Sequence, residues 1–498
     1  MARCLVTGAT GYIGGRLVPE LLAAGHEVRC MARSPERLRD LPWAERVRVV
    51  EADATDPART RAALDGIEVA YYLIHTMGGT GQFAENDRRA AGTFAAAAER
   101  AGVRRIVYLG GLDPGGPLSP HLRSRAEVAG IFLRSGVPAV VLRAAVIIGS
   151  GSASFEMLRH LTERLPVMTT PRWVQSRTQP IAVRDVLRYL TAWASVPGEV
   201  NRGFDLGGPD VLTYAEMIQG YAAVAGLPRR VIIPVKVLTP RLSSLWVGLV
   251  TPVPAGIARP LVESLRNEAV CGEHDIARYV PDPEEGLIGF PAAVSLALKK
   301  IKEAKVATRW SSASTPGTPS DPLPTDPDWA GGSLYVDCRD TRVDAEPEAL
   351  WQVIEGIGGR NGWYSLPGAW RLRGLLDGLF GGVGLRRGRR DADRLRVGET
   401  VDFWRVEEVL PGRLLRLRAE MRLPGLAWLE LSVSRRAGRT YYRQRAIFYP
   451  HGLLGHLYWW AIFPFHGLIF GRMPVNVAKA AVRRQAAGDQ SVPSSRAG

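Results

Sequence analysis

Ala2-Arg3-Cys4-Leu5-Val6-Thr7-Gly8-Ala9-Thr10-Gly11-Tyr12-Ile13-Gly14 is a short apolar run that passes straight into glycines at positions 8, 11 and 14. A strand followed at once by glycines of this spacing, and then by a helix, brings bare backbone N–H groups and a helix N-terminus to one point. That arrangement holds a pyrophosphate. The helix is expected from Arg16 to Ala24, closed by Gly25, and a second strand follows from His26 to Ala32. In this context Gly8, Thr10, Gly11, Tyr12, Ile13 and Gly14 are expected to bind a dinucleotide.

Beyond this unit, apolar strands alternate with amphipathic helices. Strands are expected at Val47–Glu51, Val69–Ile74, Arg105–Leu109 and Ala139–Leu142, with helices at Glu85–Ala101 and Pro120–Ser135. Such alternation implies right-handed crossovers and an α/β fold whose doubly wound parallel sheet is covered on both faces. Ligand then belongs at the carboxyl ends of the strands.

Thr7-Gly8-Ala9-Thr10-Gly11-Tyr12-Ile13-Gly14, Asp53-Ala54 after the third strand, and Gly102-Val103-Arg104-Arg105-Ile106-Val107-Tyr108-Leu109 resemble the short-chain dehydrogenase/reductase superfamily. Phe204-Asp205-Leu206-Gly207-Gly208-Pro209 and Thr213-Tyr214-Ala215-Glu216-Met217 look like its extended and atypical members, the sugar-nucleotide epimerase and NmrA-like branches. The resemblance covers residues 1–300. It implies an NAD(P)-binding Rossmann fold in which Asp53 and Ala54 meet the adenine and the Leu142–Ile147 segment lies near the nicotinamide. It also implies that His75 and Thr76, after the fourth strand, sit where family members pass the cofactor ribose, the alternative being plain loop residues beside Gly78-Gly79; Ile74, at the end of that strand, is a further cofactor-binding candidate with His75.

Cofactor choice follows from charge. An NAD site wants a carboxylate at the end of the second strand for the ribose 2′-hydroxyl. This chain has Ala32-Arg33-Ser34-Pro35 there, with no acid until Glu36. Arg33 suits a 2′-phosphate, so NADP(H) is expected, with NAD(H) left open.

The resemblance breaks at the catalytic residues. The superfamily's usual acid is a tyrosine with a lysine four residues on, but no tyrosine here has lysine at that spacing, and the first lysine is Lys236. The corresponding stretch reads Ser119-Pro120-His121-Leu122-Arg123-Ser124-Arg125, placing His121 and Arg125 at those two positions. Leu109-Gly110-Gly111-Leu112 stands where a serine is usual. His121 and Arg125 are therefore the catalytic candidates, beside a structural alternative in which His121 serves the first helical turn and Arg125 pairs with Glu127 or faces solvent. An oxidoreductase acting on an apolar carbonyl, enone or quinone-like substrate is one reading. A non-enzymatic NADP(H)-binding regulator or assembly factor is the other.

The chain has 498 residues, 46% hydrophobic and 23% charged, which suits two globular domains. Its net charge of +15 is uneven: residues 334–498 hold 26 Lys and Arg against 16 Asp and Glu. No recognition helix, zinc-finger spacing or aromatic RNA-binding signature accompanies that charge, so neither nucleic acid nor a metal is expected. Four cysteines without a paired framework, and no signal peptide ahead of the first strand, suggest a cytoplasmic protein.

Residues 301–333 are rich in Ser, Thr, Pro and Asp and read as a flexible linker. After it, residues 334–498 present a strand (Leu334–Arg342), a helix (Pro347–Ile357) and then strands at Glu399–Val409, Arg413–Leu423, Ala427–Arg435 and Thr440–Phe448. A helical region at 453–486 closes the order. That order resembles the START-like (SRPBCC) helix-grip fold, whose members bind lipids or other hydrophobic molecules. With Asp402-Phe403-Trp404-Arg405-Val406-Glu407 and Tyr458-Trp459-Trp460, the layout looks like bacterial proteins that join an atypical reductase domain to such a module of unknown function. A hydrophobic substrate or lipid is the expected partner of this α+β domain. Ala446–Gly471 contains no Asp, Glu, Lys or Arg. Three readings of it are open: a cavity-lining helix, an interfacial helix touching the membrane through Trp459 and Trp460, or a membrane span.

Overall fold

The computed structural model describes the chain except residues 40, 75–82, 114–115, 117, 236–249, 252, 254, 266, 307–333, 366–393, 422, 437 and 491–498. Two compact units divide it, Met1–Gly332 and Ser333–Gly498. Of the expected linker, residues 301–306 complete a helix, Phe290–Val306, and 307–333 lie outside the described residues.

The first unit is built on seven parallel strands: β1 (Arg3–Thr7), β2 (Glu27–Ala32), β3 (Arg48–Glu51), β4 (Val69–Tyr72), β5 (Arg105–Gly111), β6 (Ala139–Ala144) and β7 (Arg202–Leu206). Their order is β7-β6-β5-β4-β1-β2-β3. The order reverses between β1 and β4, which opens a crevice at their carboxyl ends. The helices are α1 (Tyr12–Ala23), α2 (Pro57–Leu64), α3 (Phe83–Arg100), α4 (Pro120–Leu133), α5 (Ala153–Arg164) and α6 (Val183–Ala192). Alternate side chains of each strand go to opposite faces. Cys4, Val6 and Val107 therefore pack with Leu17, Leu21 and Leu187 on one side, while Leu5, Ala70 and Tyr72 meet Phe94 and Phe132 on the other. Tyr72 touches both phenylalanines edge-on, with ring centroids 5.0 and 4.9 Å apart.

Arg105 opens β5 and is buried. Its guanidinium donates to the carbonyls of Trp193 (2.8 Å), Val196 (2.8 Å) and Gly198 (2.7 Å), just past the end of α6. The cation thus satisfies acceptors that a helix terminus leaves open and complements its dipole. No periodicity argument exposes such a residue.

The second unit has one antiparallel sheet of β8 (Tyr335–Val343), β9 (Thr400–Val401), β10 (Trp404–Leu410), β11 (Leu414–Ala419), β12 (Gly425–Arg436) and β13 (Arg439–Pro450). Its order is β8-β13-β12-β11-β10-β9. With it go α10 (Pro347–Glu355), α11 (Gly452–Gly471) and α12 (Met473–Gln490); α7 (Tyr214–Val224), α8 (Ala255–Ser264) and α9 (Phe290–Val306) belong to the first unit. One sheet face buries Leu415, Leu417, Leu429, Leu431 and Tyr442 against Leu350 and Ile354 of α10 and Met473, Val477 and Ala481 of α12. The other face carries a cross-strand ladder. Arg416 bonds Glu408 (3.0 Å) and Glu430 (2.9 Å), and Glu430 bonds Arg445 (3.0 Å).

Two expectations are corrected here. The strand expected over Glu399–Val409 breaks at Asp402–Phe403, because Asp402 takes a left-handed φ of 55° and accepts a hydrogen bond from Trp363 Nε1 at 2.7 Å. The result is a tight turn in which Val401 pairs with Trp404. The single helix expected over 453–486 is two helices meeting at Arg472, and it is α12 rather than the uncharged α11 that packs into the core. Among the described residues no helix is long and apolar enough to cross a membrane, so the span reading is set aside.

Arg105→Met should lower the urea-unfolding stability of the first unit by about 3 kcal/mol, since it strands two buried carbonyl acceptors and one part-buried one. Arg105→Lys should recover only part of that loss, because a point charge cannot fan to three carbonyls. An unchanged midpoint for Arg105→Met rules this bracing out.

Candidate cofactor site and active site

Gly8 follows β1 with φ +69°, and a Cβ there would lie 2.6 Å from the Leu73 carbonyl oxygen just past β4. Only glycine fits so close a backbone approach at that φ. Gly11 N–H donates to Gly8 O at 2.9 Å and closes the turn. Gly14 lays the first turn of α1 on that peptide, since a Cβ would stand 2.3 Å from Gly8 O. Thr7 Oγ1 donates to Tyr71 O and accepts from Leu73 N, both at 3.0 Å, and this locks the ends of β1 and β4 together.

The N-cap of α1 is Gly11. No side chain caps the helix and no acid lies in its first turn. The positive end of the helix dipole is therefore not offset by a capping side chain or a first-turn carboxylate of its own helix. Thr10, Tyr12 and Ile13 sit at this terminus, partly buried. Tyr12 lies under the Arg16 guanidinium (4.2 Å to the ring centroid), and its hydroxyl occupies the space a Cβ on Gly149 would need. Buried Arg16 donates to Tyr12 O (3.1 Å) and Ser150 O (3.4 Å), tying the helix terminus to the loop beyond β6. Arg16 was not among the expected site residues. A lone arginine inside an apolar helical stretch reads as solvated unless the tertiary partner is known.

At the far end of the crevice, Asp53 follows β3, beside the buried Ala54, and accepts from Thr55 N (2.8 Å) and Thr55 Oγ1 (2.7 Å). Burial works to raise its pKa. The Thr55 bonds and the charges of Arg33 and Arg89 outweigh that, and the carboxyl is held below its ordinary value. Arg33, exposed just past β2, and Arg89, exposed on α3, thus act on the same carboxylate. Sequence reading named Arg33 and not Arg89, which is far along the chain and acts on Asp53 only because of where α3 returns over the sheet. Ile74 follows β4, partly buried, and His75 and Thr76 lie outside the described residues.

The catalytic candidates are on α4. Ser119 caps this helix by accepting from Leu122 N at 3.2 Å, and His121 is buried in its first turn. Arg125 does not pair with Glu127, which binds Arg88 instead (2.9 Å). Its guanidinium donates to Leu109 O at the end of β5 and lies 5.9 Å from the Tyr108 ring. A Cβ on Gly111 would stand 3.0 Å from Leu122 and 3.6 Å from Arg125, so α4 closes tightly on the strand end. Asp185, buried at the start of α6, accepts from Ile288 N at 2.9 Å and braces the fold.

Residues 8–134 match a family described as NAD(P)H-binding, and residues 329–473 match a family of proteins of unknown function, DUF2867. A 3 beta-hydroxysteroid dehydrogenase/Delta 5→4-isomerase of Mycobacterium tuberculosis is 38% identical over 118 residues, 22% of this chain and 31% of that protein. The chain thus spans about a third of the length of the curated steroid dehydrogenases it matches. A (4-alkanoyl-5-oxo-2,5-dihydrofuran-3-yl)methyl phosphate reductase of Streptomyces griseus is 29% identical over 234 residues, 45% of this chain and 75% of that one. The triphenylmethane reductase of Citrobacter, solved with NADP(H), covers 60% of this chain and all of its own at 20% identity and a TM-score of 0.48. With the parallel sheet, the glycine turn and the family match in hand, the first unit has a Rossmann-like α/β fold whose residues 8–134 are similar to an NAD(P)H-binding family. Its cofactor is NAD(P)H. The open terminus of α1 and the cations beside Asp53 fit that group.

Gly14→Ala should weaken NADPH binding tenfold or more in calorimetry while leaving the circular dichroism unchanged, because the added methyl pushes the helix terminus off the turn. Asp53 gives a pH signature. Its folded pKa lies below the unfolded value of about 4, so its contribution is present above that value and is lost as pH falls through the folded one. Stability curves of wild type and Asp53→Asn should differ at neutral pH and converge in acid. A constant offset at every pH contradicts the assignment.

Proposed function

We propose that the protein is an NADP(H)-dependent oxidoreductase that reduces an apolar carbonyl, enone or quinone-like substrate. The observation that carries this reading is Arg33, exposed just past β2 where an NAD site would have a carboxylate, with Arg89 on α3 as a second cation whose charge lowers the pKa of Asp53. The end of β2 is where the 2′-phosphate of NADPH would lie when its pyrophosphate sits on the helix. Charge-assisted hydrogen bonds from arginine favour a phosphate over a hydroxyl by roughly ten- to a hundredfold. The two curated relatives support the reaction class: one is named for a steroid, the other as a reductase of an oxo-dihydrofuran.

When bound, NADPH supplies a hydride. The α1 amides would hold the pyrophosphate and Arg33 and Arg89 the 2′-phosphate, while Thr7 with the glycine turn fixes both strand ends. With no tyrosine at the position of His121, the proton comes from this histidine or from water. Arg125 is committed to Leu109 O and serves as a positioning residue that sets where α4 lies. The second unit, with its sheet gripped by α12, is read as a START-like module that binds a hydrophobic substrate or lipid.

The close packing of α4 on Gly111, where an added Cβ would stand 3.0 Å from Leu122, favours a second reading. On it the unit binds NADP(H) without turnover and acts as a regulator or assembly factor.

Titration should show NADPH bound at least tenfold more tightly than NADH, and Arg33→Asp with Arg89→Ala should abolish that preference. Unchanged NADPH affinity in the double variant defeats the assignment. Mixed with NADPH and a panel of quinones, enones and aldehydes, the purified protein should oxidise the cofactor. Tight binding with no oxidation by any acceptor would favour the regulator. His121→Ala should cut turnover by roughly a hundredfold at unchanged NADPH affinity; an unaltered rate removes the histidine from the reaction.

A further inference from the structure

Both faces of α11 are largely apolar, but they differ in exposure. Its inner face is held on the end of the sheet at β8 and β13. Trp459 stacks on Tyr335 (5.0 Å) and on Phe448 (5.8 Å), and Tyr335 Oη bonds His456 Nδ1 at 2.8 Å. The outer face presents Leu453, Leu454, Leu457, Trp460, Phe463 and Phe465 to solvent. Trp459 is 3% exposed and its neighbour Trp460 is 62% exposed. At 1.5 Å per residue the outer face runs roughly 18 Å along the helix. Its apolar area is on the order of several hundred Å², the size at which an exposed patch marks an interaction site.

What covers it can be argued from polarity and charge. A specific protein interface carries about one hydrogen bond per 100–200 Å². Apart from the Trp460 indole N–H, the six outer side chains offer no polar group with which to make one. A bilayer surface asks for none, and an indole suits the headgroup boundary. From residue 446 to 488 the chain has no carboxylate and four cations, Arg472, Lys479, Arg483 and Arg484. Arg472, Lys479 and Arg483 are exposed and have no carboxylate partner among the described residues, and exposed Val475 and Val482 alternate with them on α12. Apolar bulk followed by unopposed positive charge is complementary to an anionic lipid surface. The contacts of Trp459 and His456 keep α11 on its sheet, so it lies along that surface and does not cross it.

We propose that α11 docks this protein on anionic lipid bilayers, with the side chains from Leu453 to Phe465 entering the boundary between headgroups and acyl chains and the cations that follow meeting lipid phosphates. This inference is independent of the oxidoreductase reading. It differs from the expectation for 446–471 in two ways: Trp459 is a buried strut and only Trp460 is an anchor, and the cations that matter lie beyond that segment.

Flotation of the full chain with phosphatidylcholine vesicles, with and without phosphatidylglycerol, tests it. The protein should float with the mixed vesicles, and brominated acyl chains should quench its tryptophan fluorescence. The triple variant Trp460→Ser, Phe463→Ser, Phe465→Ser should bind at least roughly tenfold more weakly while keeping its NADPH affinity. Arg472→Gln with Lys479→Gln and Arg483→Gln should remove most of the dependence on phosphatidylglycerol and on salt. Failure to float with either vesicle, or equal flotation of the serine variant, overturns the proposal. So does a vesicle-free dimer, seen by sedimentation, that the serine variant dissolves, because the face would then be a contact between copies of this chain.

Discussion

The close approach of Gly8 to the Leu73 carbonyl is the constraint from which the first unit's chemistry follows. A left-handed residue without a side chain lets the chain turn off β1 directly under the end of β4. α1 can then start on top of that turn, with Gly14 pressed against the peptide of Gly8. The helix begins at Gly11 without a side-chain cap, which leaves the positive end of its dipole facing the turn. Thr7 and Arg16 complete the arrangement by joining this terminus to β4 and to the loop after β6. The pieces are interdependent: displacing the turn by the width of a methyl group disturbs the helix terminus, the neighbouring strand end and the phosphate site together.

The second unit solves a different problem. Its sheet has one apolar face, closed by α10 and α12, and one face on which Glu408, Arg416, Glu430 and Arg445 neutralise one another across four strands. Glu430 at the centre is nearly excluded from water and is met by two arginines. Pairing is what makes such burial tolerable. α11 stands outside this division. It adds little to the core, packs against β13 and the start of β8, and keeps an apolar surface outward, an arrangement that costs solubility unless something covers it.

Much of the architecture was legible from pattern. Continuous apolar runs between helices marked β1 to β6 because parallel strands buried on both faces admit few polar residues. The alternation Leu415-Arg416-Leu417-Arg418 marked β11 as half-buried. The turn at Asp402 was missed because its left-handed φ is stabilised by Trp363, distant in sequence. The break at Arg472 was missed because an apolar stretch and the helix after it share one periodicity. In the site, Arg33 was readable because its position after β2 carries a known charge logic, whereas Arg89 and Arg16 act only through what the fold brings beside them.

The local order of residues determined the glycine turn, the strand–helix alternation and the choice of a cation over a carboxylate at the end of β2. These depend on backbone sterics and on neighbours a few residues away. Only the tertiary structure decided that Arg125 spends its charge on Leu109, that Asp53 is shared by cations from two elements, and that Trp459 is buried while Trp460 faces outward. The physical reason is that charge and exposure depend on what lies across space, and that is set by how distant segments pack.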